Sequence, residues 1–282
     1  MYDISVIVPC YNMEQYLERL FDSLIIQENV NFEVILVDDA SENLYYNKSS
    51  KEICENYKDK LNITYIKHDK NMGLFQTRRD GFFKSTGKYV FIIDTDDYIE
   101  KDCLSILLNK IIKTDADIVS PTIVHVKENG DISYYTGFNP YESFCDYNYK
   151  NITDIMQRAQ YYIIGSIYKR KVWENIYKLI PENTYLTSAE DVLSTLLFIL
   201  NNNRKYAIND KLYYHVLGTG FSTSNKKFFI PSFIKQNTFQ TYIDILKTII
   251  IPKYPHAIEE LNYEISKTEN IIKTFKRFTI KN

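Results

Sequence analysis

The sequence lacks several features that would mark particular protein classes. Its four cysteines are scattered, without a Cys-x-x-Cys pair, which argues against a zinc ribbon or a disulfide scaffold and suits a reducing compartment. The formal net charge is −2, so the composition gives no reason to expect nucleic acid as a partner. No stretch approaches the roughly 20 apolar residues of a membrane span, and the N-terminal apolar run is too short for a signal peptide. These absences favour a cytoplasmic protein.

The chain does contain enough apolar material for a large core, since 45% of its 282 residues are hydrophobic. This length suits one large α/β domain or two small ones. In the first hundred or so residues, β-branched runs alternate with amphipathic segments. The predicted strands are Ile4–Pro9, Phe32–Ser41, Ile63–Lys67 and Lys88–Asp94, and the predicted helices between them begin near Asn12, Ser49 and Gly73. Alternation of this kind implies parallel strands in a doubly wound sheet.

Two predicted helix boundaries depend on capping residues. Asn12 is a candidate N-cap, with Gln15 at the position of a capping box. The helix that starts at Gly73 is expected to end with Gly87 as a glycine C-cap. With these boundaries, polar loops follow three of the predicted strands, at Pro9–Asn12, Asp38–Ser41 and Asp94–Asp97.

The polar loops are distant in sequence, but the carboxyl ends of parallel strands meet at one edge of a sheet, where ligands bind. The stretch FIIDTDDYIE places Asp94, Asp96 and Asp97 within four residues, directly after a buried strand. A hard cation such as Mg²⁺ or Mn²⁺, which in turn binds a diphosphate, would remove the repulsion between these carboxylates. The alternative is a solvated turn whose acidic residues cap a helix.

The second half of the chain is less regular. Candidate strands are Ala116–Val126, Asp131–Phe138 and a pair within Lys205–Leu217, and a helix with an apolar face is predicted within Ser188–Asn203. From about Ser224 the chain is expected to form a helical tail. We therefore predict a domain at residues 1–224, with a nucleotide-binding half at 1–97 and an acceptor half at 98–224, and a helical extension at 225–282.

Four blocks of the sequence occur in the order typical of family 2 glycosyltransferases with the GT-A fold. They are ISVIVPCYNMEQYLERLFDSLIIQ, FEVILVDDAS, NMGLFQTRRDGFFKSTGKYVFIIDTDD and AEDV. The resemblance covers about Ile4 to Ser224, and the four blocks are specific only in combination. It implies an α/β fold with a Rossmann-like, mostly parallel central sheet flanked by helices. It also implies an inverting enzyme that transfers a sugar from a nucleotide-sugar donor, with a UDP-sugar as the expected donor, during bacterial surface polysaccharide synthesis.

The resemblance implies a nucleotide pocket at the ends of the first two strands. Pro9, Tyr11 and Asn12 would line this pocket, with Tyr11 against the base. Asp39 would accept hydrogen bonds from the uracil or its neighbourhood, with Asp38 beside it. The alternative role for these two aspartates is a helix N-cap pair.

The segment Asp94-Thr95-Asp96 matches the Asp-x-Asp motif of the family. By this resemblance, Asp96 is the principal metal ligand, Asp94 contacts the ribose or metal-bound water, Thr95 belongs to the nucleotide site and Asp97 supports the metal site. The implied cofactor is Mn²⁺ or Mg²⁺.

The resemblance also assigns basic and flexible residues near the nucleotide. Arg79 matches a basic position next to it, whereas the neighbouring Arg78 is expected to be a solvated helix residue, which is the more common environment of arginine. The segment Tyr213–Asn225 resembles a late loop that closes over the diphosphate, with His215 and Ser222 as candidates. An arginine often found in this loop is missing, and His215 has a structural role as its alternative.

The pair Glu190-Asp191 matches the acidic pair that faces the acceptor at the start of a helix. In the family one such carboxylate is the general base, and we assign this role to Asp191, with Glu190 as the second candidate. The alternative is structural, because Thr187 and Ser188 stand three residues before these acids, at the spacing of capping pairs.

Two other functions fit parts of the sequence. A haloacid-dehalogenase-like phosphohydrolase would use Asp94 as nucleophile and Asp96 as acid/base, but that family has Thr or Val where Tyr98 stands, and its motif is usually near the N-terminus. The other is a non-catalytic relative that binds a nucleotide. The intact acidic residues argue against that function.

The expected partners are the nucleotide-sugar donor and a saccharide or lipid-linked acceptor. The tail carries an apolar stripe, which must be covered because isolated helices of this length are marginal in water. Three coverings are open: the parent domain, a second subunit in a homodimer, or peripheral contact with the inner face of the cell membrane, which the basic C-terminal end would favour.

Overall fold

The computed structural model describes residues 1–42, 47–136, 142–145, 152, 163–219 and 232–279, and within them ten strands form one sheet flanked by helices. The strands are β1 Ile4–Cys10, β2 Phe32–Asp38, β3 Ile63–Lys67, β4 Tyr89–Ile92, β5 Tyr98–Ile99, β6 Ile118–Lys127, β7 Ile132–Thr136, β8 Ser143–Cys145, β9 Ile167–Lys169 and β10 Lys205–Leu217. The helices are α1 Glu14–Ile25, α2 Ser50–Tyr57, α3 Leu74–Lys84, α4 Cys103–Thr114, α5 Arg170–Leu179, α6 Glu190–Leu200, α7 Ser232–Ile245 and α8 Ile258–Thr279.

The first half of the chain forms the parallel part of the sheet, in the order β3-β2-β1-β4. Every residue of β1 is buried, because neighbouring strands flank both of its edges and helices cover its faces. This confirms the doubly wound arrangement predicted for the nucleotide-binding half. It also brings the ends of β1, β2 and β4 to one edge of the sheet.

The second half of the sheet is mixed. Strand β9 is antiparallel to both β4 and β6, and β10 runs parallel to β6 but antiparallel to β5 and β8. The predicted strand pair at Lys205–Leu217 is wrong, since β10 is continuous through this range. Its pairing register shifts between Ala207 and Tyr213, so the polar residues that indicated a turn lie at a bulge.

Two predicted helix boundaries differ from the structure. Asn12 is not the N-cap of α1, because its φ of 52° is left-handed and Met13 precedes the helix without a side-chain capping bond. Gly87 is not a C-cap, because α3 ends at Lys84 and an extended Ser85 follows. A Cβ atom at Gly87 would lie 2.6 Å from the backbone nitrogen of Ser5, so glycine is required there by close packing against β1.

The tail is helical where the structure describes it. A π-helical turn at Leu246–Ile250 continues α7, and a short connection leads to α8. The tail shares the main hydrophobic core through its buried side chains, and Tyr254 donates a hydrogen bond to Asn201, 2.9 Å away, just beyond α6. Packing on the parent chain therefore covers most of the apolar stripe predicted for the tail. The predicted boundary at residue 224 lies outside the described residues, and the domain division remains a prediction.

Candidate active site

The loop after β4 carries the acidic motif and is tied to β1. Thr95 is buried and its hydroxyl donates to the carbonyl oxygen of Pro9, 2.6 Å away. The backbone nitrogen of Asp97 donates to the carbonyl oxygen of Asp94, which closes a turn. The turn leaves the Asp94 side chain about one-third exposed and turns the Asp97 side chain inward.

Arg78 connects the acidic motif to the start of α6. Its guanidinium lies 2.7 Å from Asp94 Oδ1 and 3.1 Å from Glu190 Oε1, and only 3% of its side chain is exposed. Burial alone would lower the pKa of Arg78, but the two carboxylates raise it above the usual value. The expectation that Arg78 is a solvated helix residue is therefore wrong.

Arg79, which was expected beside the nucleotide, points elsewhere. Its Nη1 donates to the carbonyl oxygen of Ile180 at 2.8 Å, and its Nη2 lies 3.6 Å from the exposed Glu182. The basic group that contacts the acidic motif is thus Arg78. Helical spacing indicates that Arg78 lies on one face with Phe75 and Phe82, but the same spacing applies to Arg79, which is also buried, so the two arginines could not be separated by it.

Asp96 is nearly buried and has few hydrogen-bond donors. Its Oδ2 lies 2.6 Å from the hydroxyl of Thr219, a residue that the sequence did not single out, and Arg19 donates to its backbone carbonyl. Burial and the nearby charge of Asp94 raise the pKa of Asp96 to about 6. This carboxylate would be stabilised by an added positive charge.

Asp97 does not fit the predicted role of a metal ligand. Its side chain is 1% exposed, Tyr213 Oη donates to one carboxylate oxygen at 2.5 Å, and the backbone nitrogen of Val216 donates to the other at 2.8 Å. Burial, Asp96 and Asp94 raise the pKa of Asp97 well above its ordinary value. Asp97 fastens β10 to the acidic loop.

The remaining carboxylates fit a cation that is shared with a ligand. Over the residues that the structure describes, no cluster of three or more His, Cys, Asp or Glu side chains forms a complete metal site. Among the described residues, Arg78 contacts one oxygen of Asp94 and Thr219 contacts one oxygen of Asp96, which leaves the other oxygen of each open to a further partner. Mg²⁺ typically binds through one or two carboxylates plus substrate phosphates, so Asp96 and Asp94 suit Mg²⁺ or Mn²⁺ together with a diphosphate.

The acidic pair Glu190-Asp191 occupies the first turn of α6. Ala189 precedes the helix with a left-handed φ of 67°, and no side chain caps it, so the capping pairs with Thr187 and Ser188 are absent. Asp191 is partly buried and accepts a bond from the backbone nitrogen of Val192. Burial and the charge of Glu190 raise the pKa of Asp191 to about 7, whereas Arg78 engages Glu190.

Asp38 organises the loop after β2. Its side chain is fully buried, Ser41 N and Ser50 Oγ donate to different oxygens, and Tyr65 Oη donates at 2.8 Å. Burial would raise the pKa of Asp38, but these hydrogen bonds outweigh it and lower the pKa. A direct contact between Asp38 and a nucleotide is therefore wrong for this conformation. Ser49 is the N-cap of α2, so neither aspartate of the pair caps that helix.

Asp39 holds the segment that precedes α3. The backbone nitrogen of Met72 donates to its Oδ1 at 2.7 Å, and that of Gly73 donates to its Oδ2 at 3.0 Å. His68, another residue missed at the sequence level, lies 2.7 Å from Oδ1. The two oxygens of Asp39 are thus fixed in direction, and within the described residues Oδ2 accepts one hydrogen bond, from Gly73 N.

The loop after β1 meets the loop after β2. The backbone nitrogen of Asn12 donates to Ser41, and its side-chain oxygen accepts a bond from Glu42 N. Tyr11 is partly buried beside this contact. Pro9, Tyr11 and Asn12 therefore stand at the same sheet edge as Asp39, and their nucleotide contacts remain predictions.

His215 lies on β10, directly opposite His125 of β6, with ring centroids 5.0 Å apart. Burial lowers the pKa of His215, although the charge of Asp94 opposes this. His215 is therefore partly buried near the acidic motif, and its contact with the diphosphate remains a prediction. Ser222 lies outside the described residues.

The chain belongs to glycosyl transferase family 2, whose family model matches residues 5–176. It is 32% identical over 212 residues to glycosyltransferase GlyA of Streptococcus pneumoniae, and the aligned region covers 71% of this chain and 30% of GlyA. It is 31% identical over 219 residues to poly(ribitol-phosphate) beta-N-acetylglucosaminyltransferase TarS of Staphylococcus aureus, and the aligned region covers 76% of this chain and 35% of TarS. The chain thus spans about a third of the length of these relatives.

Solved structures of S. aureus TarS have the same fold. The crystal structure of a TarS fragment with UDP-GlcNAc has a TM-score of 0.67 and 27% identity, and covers 86% of this chain and 65% of that one. Family membership and this similarity confirm the predicted family and the predicted GT-A fold.

Proposed function

We propose that the chain transfers a sugar from a UDP-sugar to a hydroxyl of a saccharide or lipid-linked acceptor, with inversion at the anomeric carbon. The observation that carries this proposal is the Arg78 bridge, because it joins the Asp-x-Asp loop to the helix that bears Asp191. A donor-side acid and a candidate base are thereby held in one site, which lowers the entropy lost on reaching the transition state.

Asp191 is the general base in this proposal. A pKa of about 7 matches the requirement that a base be both substantially deprotonated and basic near neutral pH. Asp191 takes the proton of the acceptor hydroxyl while that oxygen bonds to the anomeric carbon. The bond between this carbon and the phosphate oxygen breaks, and UDP leaves with the electron pair. Glu190, paired with Arg78, positions the helix turn.

Asp96 and Asp94 would hold Mn²⁺ or Mg²⁺ together with the donor diphosphate. When bound, the metal would neutralise negative charge on the departing diphosphate. Asp39 Oδ2 accepts a hydrogen bond from the base, and Tyr11 packs beside it. His215 and Thr219 lie near the acidic motif on the diphosphate side.

The relatives favour a role in bacterial surface polysaccharides. TarS is named for N-acetylglucosamine transfer to poly(ribitol-phosphate), and its fragment binds UDP-GlcNAc, which supports a hexosyl- or N-acetylhexosaminyltransferase here. A cytoplasmic site, with peripheral contact at the inner membrane face, suits a lipid-linked acceptor. No helix in the described part of the chain is both long and apolar enough to span a bilayer. Membrane contact and a homodimer through the tail remain predictions.

A product assay tests the proposed function. The full chain is incubated with UDP-GlcNAc and other UDP-sugars, Mn²⁺ and a panel of saccharide and polyol-phosphate acceptors, and UDP, phosphate and glycosylated product are quantified. UDP with a glycosylated acceptor whose anomeric configuration is inverted, read by NMR, supports the proposal. Free phosphate alone would instead indicate the phosphohydrolase, and nucleotide binding without turnover would indicate the non-catalytic relative.

A further inference from the structure

His68, which follows β3, lies between two carboxylates from different elements. Its Nδ1 is 2.7 Å from Asp39 Oδ1, after β2, and its Nε2 is 3.1 Å from Asp80 Oδ2, on α3. The side chains of His68 and Asp39 are 11% and 5% exposed, whereas Asp80 is 37% exposed. We call these three residues the Asp39–His68–Asp80 triad.

His68 contacts the Oδ1 atom of Asp39, so the triad fixes the orientation of the carboxylate without occupying its Oδ2 atom. Met72 N and His68 both engage Oδ1, and Gly73 N engages Oδ2. A carboxylate oxygen accepts two hydrogen bonds, so Oδ2 retains capacity for one more. A hydrogen bond from a ligand would meet an acceptor whose direction is already set.

Protonated histidine suits this position, because only the doubly protonated ring presents an N–H group to each of the two carboxylates. The hydrogen bond to Asp39 and the close contact with Asp80 raise the pKa of His68 to about 9, against the lowering effect of burial. The neighbouring Lys67 is directed to the Ser41 carbonyl and Asp38. Tyr185, whose pKa burial and Asp39 raise, bonds to Asn71 instead.

We propose that His68 is a positioning residue that directs Asp39 Oδ2 toward the nucleotide base, and that Asp80 keeps His68 doubly protonated across the neutral range. This inference rests on the proposed function, in which Asp39 accepts a hydrogen bond from the base. Neutral His68 would present a lone pair to one of its two carboxylates. That repulsion would release Asp39 or Asp80, so nucleotide affinity would fall when the proton is lost.

Asp80→Asn separates positioning from simple packing, because it removes one charge and keeps the shape. Without the charge of Asp80, the pKa of His68 should fall toward its ordinary value of about 6.5. The pH at which UDP affinity weakens should fall with it. Loss of one charge-assisted hydrogen bond corresponds to roughly a tenfold weaker complex.

Calorimetry of UDP binding from about pH 6 to pH 8.5 tests this, with histidine ring titration followed by NMR in the same samples. His68→Gln assigns the resonance and should bind UDP about tenfold more weakly at every pH. The wild-type profile and that of Asp69→Asn, a control at an exposed neighbouring acid, should coincide. Asp80→Asn should match them at low pH and weaken about tenfold above neutrality. The nucleotide's own titration is common to all samples and cancels.

Coincident profiles for wild type and Asp80→Asn, with UDP bound by both, would overturn this inference and leave the proposed function intact. An unchanged His68 titration in Asp80→Asn would overturn it equally. Failure of the wild-type chain to bind UDP at any pH would contradict the proposed function, and the role of the triad with it.

Discussion

Two sets of carboxylates stand at the same edge of the sheet in opposite environments. After β2, protein donors surround Asp38 and Asp39, and the pKa of Asp38 is lowered despite burial. After β4 and at the start of α6, Asp96 and Asp191 have few donors, and burial and neighbouring charges raise their pKa values to about 6 and about 7. The first set is stabilised by the protein alone. The second retains negative charge that a cation, a diphosphate or a proton would compensate.

Arg78 compensates part of the negative charge of the second set of carboxylates. In the described part of the chain it is the only cation that forms side-chain ion pairs with this set, and it engages Asp94 and Glu190. Asp96 and Asp191 have no such partner. In the described part of the chain, the principal proposed metal ligand and the proposed base are thus left without a cation, whereas the second proposed metal ligand, Asp94, is paired with Arg78.

Removing Arg78 should have the largest effect on stability. Arg78→Met leaves the nearly buried Glu190 and the one-third-exposed Asp94 without their cation, and loss of one partner of a buried ion pair costs about 3–5 kcal/mol. Urea unfolding measures this. Arg79→Met is the matched control, because Arg79 bonds to a carbonyl, lies over the Phe83 ring and has an exposed acid as its ion-pair partner. Equal losses for both variants would show that the bridge adds nothing to the fold.

Asp191→Asn should lower the rate of sugar transfer by about 10²–10⁴-fold, because the amide cannot accept the proton. UDP affinity should stay unchanged. Steady-state kinetics and calorimetry separate the two quantities, with the exposed Asp59→Asn as control. If Glu190→Gln is the inactive variant instead, the base is Glu190. Activity in both would rule out a base in this pair.

Asp38→Asn and Asp97→Asn should differ in their effects on stability. The lowered pKa of Asp38 means that its ionised form stabilises the fold above its unfolded pKa, and that this stabilisation is lost as pH falls through the folded value. Asp38→Asn should cost about 1–3 kcal/mol near neutral pH.

For Asp97 the sign is reversed, because a raised pKa means that ionisation opposes folding. Asp97→Asn should therefore cost less than Asp38→Asn near neutral pH, and less there than in acid. Thermal unfolding at several pH values tests both, and equal costs at every pH would contradict the opposite directions in which the pKa values of Asp38 and Asp97 are shifted.

The pH dependence of transfer should report on Asp191. Its carboxyl group must be deprotonated to act, so the rate should rise about tenfold per pH unit below about pH 7 and level off above it. If Glu190→Gln retains activity, the rise in its rate should occur at lower pH than in the wild type. The reason is that the variant lacks the charge of Glu190, which raises the pKa of Asp191. If the rate rises over the same pH range in Glu190→Gln and in the wild type, the titrating group is not Asp191.

The parallel half could be predicted from sequence because its signals are local. Continuous β-branched runs indicate buried strands, and the motif at Asp94–Asp97 immediately follows one. The predicted helix boundaries were wrong where contacts between residues distant in sequence determine the backbone conformation. Asn12 adopts a left-handed conformation that contacts Ser41 and Glu42 across the loops, and Gly87 is required by its approach to β1.

Partners within the site were harder to predict, because they are distant in sequence. Tyr213 engages Asp97 from 116 residues away, and Thr219 lies against Asp96 from 123 residues away. Both oxygens of Asp97 accept protein hydrogen bonds, but the sequence around the acidic motif does not distinguish Asp97 from Asp96. The α3 periodicity could not separate Arg78 from Arg79, because it places both residues on the buried face.

The most direct test of the central claim is the effect of Mn²⁺ on UDP affinity, measured by calorimetry at neutral pH. If the charge at Asp96 awaits a cation shared with a diphosphate, Mn²⁺ should strengthen UDP binding to the wild-type chain by at least about tenfold, on the scale of one added charge-assisted contact. Asp96→Asn should lose most of this gain, whereas Asp38→Asn, if folded, should keep it. Equal metal dependence in wild type and Asp96→Asn, or none in wild type, would contradict the account.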